Sequence, residues 1–245
     1  MTSYHQRFLA GEHRIVWDEL GGLADIPVPI VDDVAAVARE TMRRVARHVA
    51  RIAEALDGLG HVPDNARVPV HQPPTDADRV TVERLDAEIG GLPVAFAASL
   101  REVGAVSFTG DCPALSLYYN TKSPSPRGMP PGPGYPDPMV LPGVDYLEYV
   151  WDEHTEDDGD SDEAELAFPF APDELHKANI SGGTHVLYLP DRSADPVLSY
   201  VAGRDGITLV QYLRVSVAWG GFPGWSFAPD QASAALAGLR AQPDF

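Results

Sequence analysis

Cysteine is almost absent from this sequence: Cys112 is the single one in 245 residues. One cysteine cannot form an internal disulfide, and such usage is typical of proteins from a reducing compartment. Long apolar runs are missing as well, since none approaches the ~20 residues of a membrane span. The first residues, MTSYHQRFLAGEHR, lack the apolar core of a signal peptide. We therefore expect a cytoplasmic chain without membrane association.

Basic residues are scarce. Lys and Arg number 18 against 36 Asp and Glu, which gives a formal net charge of -18. Such a chain repels phosphate backbones, so direct nucleic-acid binding is not expected, whereas basic proteins are attracted. An acidic surface also keeps proteins soluble, and this simpler interpretation stays open. On one predicted helix Arg39, Arg43 and Arg47 recur at every fourth position, and we expect them to pair with the chain's own carboxylates or to stay solvated.

Recognised catalytic and metal-binding motifs are missing too. The sequence contains no G-x-S-x-G, H-E-x-x-H, P-loop or C-x-x-C pattern, and its eight histidines are scattered. The stretch IGGLPVAFAASLREVGAVSFTG (89–110) has the order helix, Gly-Gly-Leu-Pro, helix, Gly, strand. A phosphate-binding loop needs the order strand, glycine turn, helix. The glycines therefore indicate helix ends, and we predict no cofactor, no metal and no enzymatic activity.

An acidic block spans residues 152–165 and contains alternating aspartates, which in calcium loops converge on one cation. These aspartates are Asp158, Asp160 and Asp162. An EF-hand would need Gly and Glu at the positions that Glu163 and Pro169 occupy here, so a solvated acidic loop is the favoured interpretation. We keep the three aspartates as candidate partner-binding residues.

A second polar group lies in the stretch APDELHKANISGG. Asp173 and His176 stand close enough in sequence for acid–base chemistry, which keeps a small hydrolase open as an alternative. The same residues, together with Lys177 and Asn179, also suit a polar recognition surface. Turn hydrogen bonds are a third explanation for Asp173 and Asn179.

The apolar pattern predicts several helices. The longest covers residues 32–59, with Asp32 or Asp33 as its N-cap, and a shorter one covers residues 12–20. A proline-bearing linker follows. Thr75 and Asp78 resemble a capping box for a helix over residues 76–89, and Pro93 suits the first turn of a helix that Gly104 ends. A further helix is predicted over residues 230–239, and residues 208–219 could form a helix or a strand, of which the helix is favoured.

Strands are predicted mainly in the middle of the chain, and residues 121–138 form an exposed Pro/Gly-rich loop. The predicted strands cover residues 105–108, 114–119, 139–141, 146–151 and 184–189. Helices followed by strands and again by helices indicate an α+β fold with a mostly antiparallel sheet of about four to six strands. We place a helical N-terminal extension at residues 1–70, packed on or linked to a main domain at residues 71–245.

Residues 75–110 resemble the opening module of the SUKH superfamily, the bacterial immunity and scaffold domains related to a yeast cell-wall assembly regulator. The residues that carry the resemblance are Thr75, Glu83, Leu85, Gly90, Leu92-Pro93, Phe96, Leu100, Gly104 and Val106–Phe108. The segments DPMVL, PDELHKANISGG, YLPD and TLVQYLRVSVAWGGFPG are similar to stretches of uncharacterised bacterial members, so the likeness extends over residues 75–225.

This resemblance implies an α+β domain without chemistry of its own. Bacterial SUKH domains are thought to bind and neutralise toxins, often nucleases, and eukaryotic relatives are regulatory binding proteins. The charge argument agrees, because nucleases that grip phosphate are basic. We therefore expect a protein-binding domain that neutralises a basic, nuclease-type toxin, with a regulatory or scaffold protein of unknown partner as the alternative. The oligomeric state stays open.

Overall fold

The structure is a computed structural model that describes residues 3–23, 25–118, 136–157, 165–178 and 182–245. The chain begins with helices α1 (Tyr4–Leu9), α2 (His13–Gly21) and α3 (Val31–Gly58). Helix α3 has the predicted apolar period, since one face is buried throughout: Val34, Val37, Ala38, Thr41, Met42, Val45, Val49, Ile52 and Leu56. The predicted N-cap is wrong, because the helix begins at Val31 and Asp32 and Asp33 lie in its first turn.

Helices α4 (Asp76–Ile89) and α5 (Val94–Glu102) follow the prediction closely. Thr75 and Asp78 form a reciprocal capping box: Thr75 Oγ1 accepts the Asp78 N–H at 3.2 Å, and Asp78 Oδ2 accepts the Thr75 N–H at 2.7 Å. Gly90 ends α4 in the left-handed conformation, with a φ of 90°. The glycines of this stretch are therefore helix ends, as expected.

The strands are short and all pair antiparallel. Within the described residues they form three small sheets with the orders β1-β4-β5, β2-β3-β6 and β7-β8. Their bounds are β1 Val62–Pro63, β2 His71–Gln72, β3 Ala105–Ser107, β4 Gly110–Cys112, β5 Leu117–Tyr118, β6 Val140–Leu141, β7 Leu166–Pro172 and β8 Thr184–Leu189. The predicted α+β class with a helical N-terminus is confirmed, with the antiparallel strands shared among these small sheets.

One predicted strand is a helix. Residues 146–151 belong to α6 (Val144–Asp157). Buried Val144 and Leu147 and the half-buried Val150 and Trp151 follow a helical spacing, so one side of α6 packs on the protein. Tyrosine, valine and tryptophan are frequent in strands, and a window of six residues was too short to reveal the longer period.

Four further predicted segments differ in how closely the structure follows them. Helix α8 (Leu209–Ala218) is confirmed, whereas residues 230–239 form only the 3-10 turns Pro229–Gln231 and Ala234–Gly238. Of the predicted strand 114–119, the described residues 114–118 pair only at Leu117–Tyr118, because Pro113–Leu115 is a 3-10 turn. Of the predicted loop at 121–138, residues 121–135 lie outside the described residues.

Side chains from the first helices and from the remainder of the chain share one hydrophobic core. Within it α3 packs against α5 and also contacts α8. The polar side of α3 holds the C-terminal segment: Arg44 donates to the Asp244 carbonyl at 2.6 Å, and Arg51 donates to the Leu239 carbonyl at 2.5 Å. Arg43 pairs with Glu102, whereas Arg39 and Arg47 are exposed.

Asp195 is a buried carboxyl that completes the start of α8. Its Oδ1 accepts the backbone N–H of Val210 at 3.0 Å, and burial raises the pKa of this carboxyl to about 6. Because an unfolded aspartate titrates near pH ~3.9, the folded state binds the proton more tightly. This group therefore stabilises the fold most below pH ~4, and its contribution is lost as the pH rises through about 6.

We expect Asp195→Asn to keep the capping oxygen and to remove the titration. Relative to the native chain, its free energy of unfolding should rise by about 3 kcal/mol between pH ~4 and pH ~7. Urea unfolding of both proteins across this range measures the difference. A difference that is the same at every pH would contradict the assignment.

Candidate functional site

The predicted pair of Asp173 and His176 does not meet as an acid and a base. Asp173 is the N-cap of α7 (Glu174–Lys177): its Oδ1 accepts the His176 backbone N–H at 2.7 Å, and its Oδ2 accepts the Gly183 N–H at 2.5 Å. Both carboxylate oxygens are thus used to join α7 to the start of β8. The His176 side chain is exposed. The geometry that the hydrolase alternative needs is not formed by this pair.

Lys177, unlike the exposed His176, is buried. Its side chain is 1% exposed, and Nζ donates to Asp137 Oδ1 at 2.5 Å. Asp137 comes from the segment before β6 and has a φ of 53°, a left-handed conformation that aspartate tolerates better than most residues. The predicted recognition residue is therefore half of a buried ion pair that ties α7 to a segment 40 positions away.

Other buried polar groups surround this ion pair. His185 of β8 donates from Nδ1 to the Tyr200 carbonyl at 3.1 Å, and burial lowers the pKa of its imidazole. The ring of His185 meets that of Tyr212 of α8 at a centroid distance of 6.1 Å. His185 Nε2 and the Tyr212 hydroxyl find no hydrogen-bond partner among the described residues. Burial raises the pKa of the Tyr212 hydroxyl well above its usual range.

The same region contains a small cavity of about 10 Å³. Asp137, Glu174 and Arg204 contribute its polar lining, and Val201 and Phe227 contribute apolar walls. Arg204 donates to the Pro223 carbonyl at 3.1 Å and to Ser226 Oγ, and its guanidinium lies 4.4 Å from the Phe227 ring centroid. This space suits about one water molecule, not a substrate. The polar cluster is thus suited to fixing the segment around residues 200–206.

An exposed pair of tyrosines lies directly outside this cluster. Tyr200 follows the extended segment that pairs with β8 and has a φ of 63°, although it is not glycine. Its ring is 70% exposed, and its hydroxyl lies 3.4 Å from that of Tyr188. The buried His185 holds the Tyr200 carbonyl, so the cluster fixes the backbone that displays this ring.

A second exposed surface combines carboxylates with tyrosines. Helices α4 and α6 pack side by side, and Arg84 bridges them by donating to Glu88 at 2.7 Å and to Glu148. We call the carboxylates around Arg84 and Tyr149 the acidic face: Glu88, Glu148, Asp152 and Glu153. Glu88, Glu148 and Asp152 act on the Arg84 guanidinium and Glu153 accepts from Tyr149, so four carboxylates stand against one cation and the face is negative.

Two aromatic side chains emerge within the acidic face. Tyr149 is 56% exposed and donates its hydroxyl to Glu153, and the partly exposed Tyr146 packs its ring 5.7 Å from that of Phe168. Sequence reasoning missed this arrangement because it placed residues 146–151 in a strand. The signal was present, since Asp145, Tyr149 and Asp152 recur at helical spacing.

The remaining predicted site residues, Asn179, Asp158, Asp160 and Asp162, lie outside the described residues. Within the described part of the chain, no group of three His, Cys, Asp or Glu side chains is arranged to hold a metal ion. In the same residues no helix combines the length and the apolar character needed to cross a bilayer.

Comparison with known proteins gives no match: no family model, no curated protein and no solved structure is significantly similar to this chain.

Proposed function

We propose that this chain is a non-enzymatic cytoplasmic protein that binds and neutralises a basic protein partner, a nuclease-type toxin. The observation that carries the proposal is the acidic face on α4 and α6, where Tyr146 and Tyr149 emerge among the carboxylates. Exposed tyrosines bury much area at little cost in conformational entropy, and they are enriched at protein interfaces. Surrounding carboxylates attract a basic partner and orient it on approach.

Membership of the SUKH superfamily is part of this proposal. Its support is the order of elements from Thr75 to Ser107, which runs through α4, Gly90, Leu92-Pro93, α5, Gly104 and β3. The buried positions of this module include Leu85, Phe96 and Leu100, which agrees with their place in the resemblance. A regulatory protein that binds a basic partner would use the same face. A neutralising protein abolishes the partner's activity, whereas a scaffold leaves it intact, so an activity measurement distinguishes the two functions.

The test is association with basic toxin domains encoded beside this gene, purified in inactive form. We expect a stoichiometric complex whose association rate constant falls steeply as salt is added. Neutralising Glu148, Asp152 and Glu153 as Gln, Asn and Gln should lower that rate constant at least about tenfold at low salt. Surface plasmon resonance at several salt concentrations measures both effects.

A matched control removes the same charge from other elements: Glu54→Gln, Asp57→Asn and Asp230→Asn, all at exposed positions. We expect this control to lower the rate constant far less than the acidic-face variant. Equal effects of the two triple variants would show that net charge alone matters and would overturn the role of α4 and α6. Absence of any complex with the neighbouring toxins would overturn the proposed function.

A further inference from the structure

Tyr200 is held in a backbone conformation that its side chain disfavours. A φ of 63° is the left-handed region, which is uncommon for bulky residues and persists only where the surroundings determine it. Those surroundings are visible here: Ser199 and Val186 exchange two backbone hydrogen bonds of 2.9 and 3.1 Å, and His185 binds the Tyr200 carbonyl. Such strain tends to occur at functional sites, where a side chain must point in one direction.

The outward positions of β7 and β8 next to Tyr200 hold no charged side chain. On β7 and β8 the outward positions include Ala167 opposite Tyr188 and Pro169 opposite Val186. Val197, which is 50% exposed, lies two residues before Ser199 and so on the same side of its extended segment as Ser199. We call this surface the tyrosine platform: Ala167, Val186, Tyr188, Val197 and Tyr200.

An uncharged aromatic surface is unusual on a chain with a formal net charge of -18. Depletion of charge and enrichment in tyrosine characterise the centre of a protein interface, and polar residues characterise its rim. Glu165 is exposed and directly precedes β7, two residues before the outward Ala167, which places a carboxylate beside the platform. An aromatic face with a nearby carboxylate is complementary to a guanidinium, which stacks on the ring and pairs with the acid.

We infer that the tyrosine platform is the anchor of the protein interface and receives an arginine side chain from the basic partner, stacked on Tyr200. The inference rests on the proposed function, and it assigns a separate task to a second surface. Carboxylates of the acidic face steer the encounter, and the platform sets how long the complex lasts. Aromatic anchors dominate dissociation rates, whereas exposed charges act mainly on association.

Tyr200→Gly tests this assignment, because glycine adopts a φ of 63° without strain. If the tyrosine is retained for recognition, the variant unfolds at an equal or higher temperature than the native chain while its complex with the toxin domain dissociates at least about tenfold faster. Tyr200→Phe keeps the ring and should stay within about threefold of the native dissociation rate. Calorimetry and surface plasmon resonance supply the two measurements.

Three results would overturn the inference. The first is a Tyr200→Gly variant that dissociates at the native rate from a toxin that the native chain binds. In that case the proposed function survives. The second is faster dissociation only together with a lower unfolding temperature, which indicates a structural role. The third is a native chain that is dimeric in sedimentation velocity and becomes monomeric as Tyr200→Gly, since a second copy would then cover the platform. Failure of the native chain to bind any toxin removes the proposed function and this inference together.

Discussion

Replacing Lys177 by methionine lowers the free energy of unfolding by about 3–5 kcal/mol. The ammonium group is 1% exposed and donates to Asp137 at 2.5 Å, so the substitution leaves a carboxylate that is itself only 10% exposed without its countercharge. Removing one partner of a buried ion pair costs far more than the pair contributed. Chemical unfolding followed by circular dichroism measures the loss.

The double variant Lys177→Met with Asp137→Asn separates this cause from packing. Asparagine tolerates the left-handed backbone at position 137 and removes the charge. We expect it to recover about half or more of the loss, because a buried pair replaced as a whole costs little. A single variant that loses under about 1 kcal/mol, or a double variant that recovers nothing, would contradict the buried ion pair.

Gly104→Ala is expected to cost about 3 kcal/mol or more. Gly104 has a φ of 78°, a backbone conformation that destabilises an alanine by about 1–2 kcal/mol. An added Cβ would also lie 2.2 Å from the Gln72 carbonyl oxygen and 2.9 Å from the Pro74 nitrogen. Both neighbours are backbone atoms of the segment that contains β2, so relief requires β2 to move away from β3, and overpacking of this kind costs about 1–3 kcal/mol more.

Gly60 offers a matched control for this substitution. Its φ is 75°, almost the same as that of Gly104, but an added Cβ meets nothing within 4 Å. Gly60→Ala should therefore lose only the conformational part, about 1–2 kcal/mol. Thermal and urea unfolding give the free energy of unfolding of both variants, and the difference between their losses is the cost of the close approach to β2. Equal losses at both positions would show that β2 does not constrain Gly104 as the structure indicates.

Local sequence signals were sufficient for much of the fold. The capping box of Thr75 and Asp78 and the apolar period of α3 involve residues three or four positions apart, so one window contains the whole signal. Residues 146–151 were misassigned because β-forming side chains occupy a helix whose period needs a longer window. There the packing of α6 against α4 overrides intrinsic preference.

The candidate surfaces were less accessible to sequence reasoning. Asp173, His176 and Lys177 attracted attention as neighbours in sequence, yet the structure gives them a cap, an exposed ring and a buried ion pair. The partner of Lys177 is 40 residues away, and Tyr188 and Tyr200 meet only because the segment after β8 turns back on it. Such contacts depend on tertiary folding, which a single sequence without aligned relatives does not reveal.

Titration of a neighbouring toxin's enzymatic activity with this chain measures neutralisation itself. We expect the activity to fall linearly and to reach its minimum at one equivalent of chain, since binding is tight and the partner is neutralised. Neutralising Glu148, Asp152 and Glu153 should slow the onset of inhibition at low salt, because the steering charge of the acidic face is gone. Full toxin activity in the presence of excess chain, for every basic toxin encoded nearby, would contradict the proposed neutralisation.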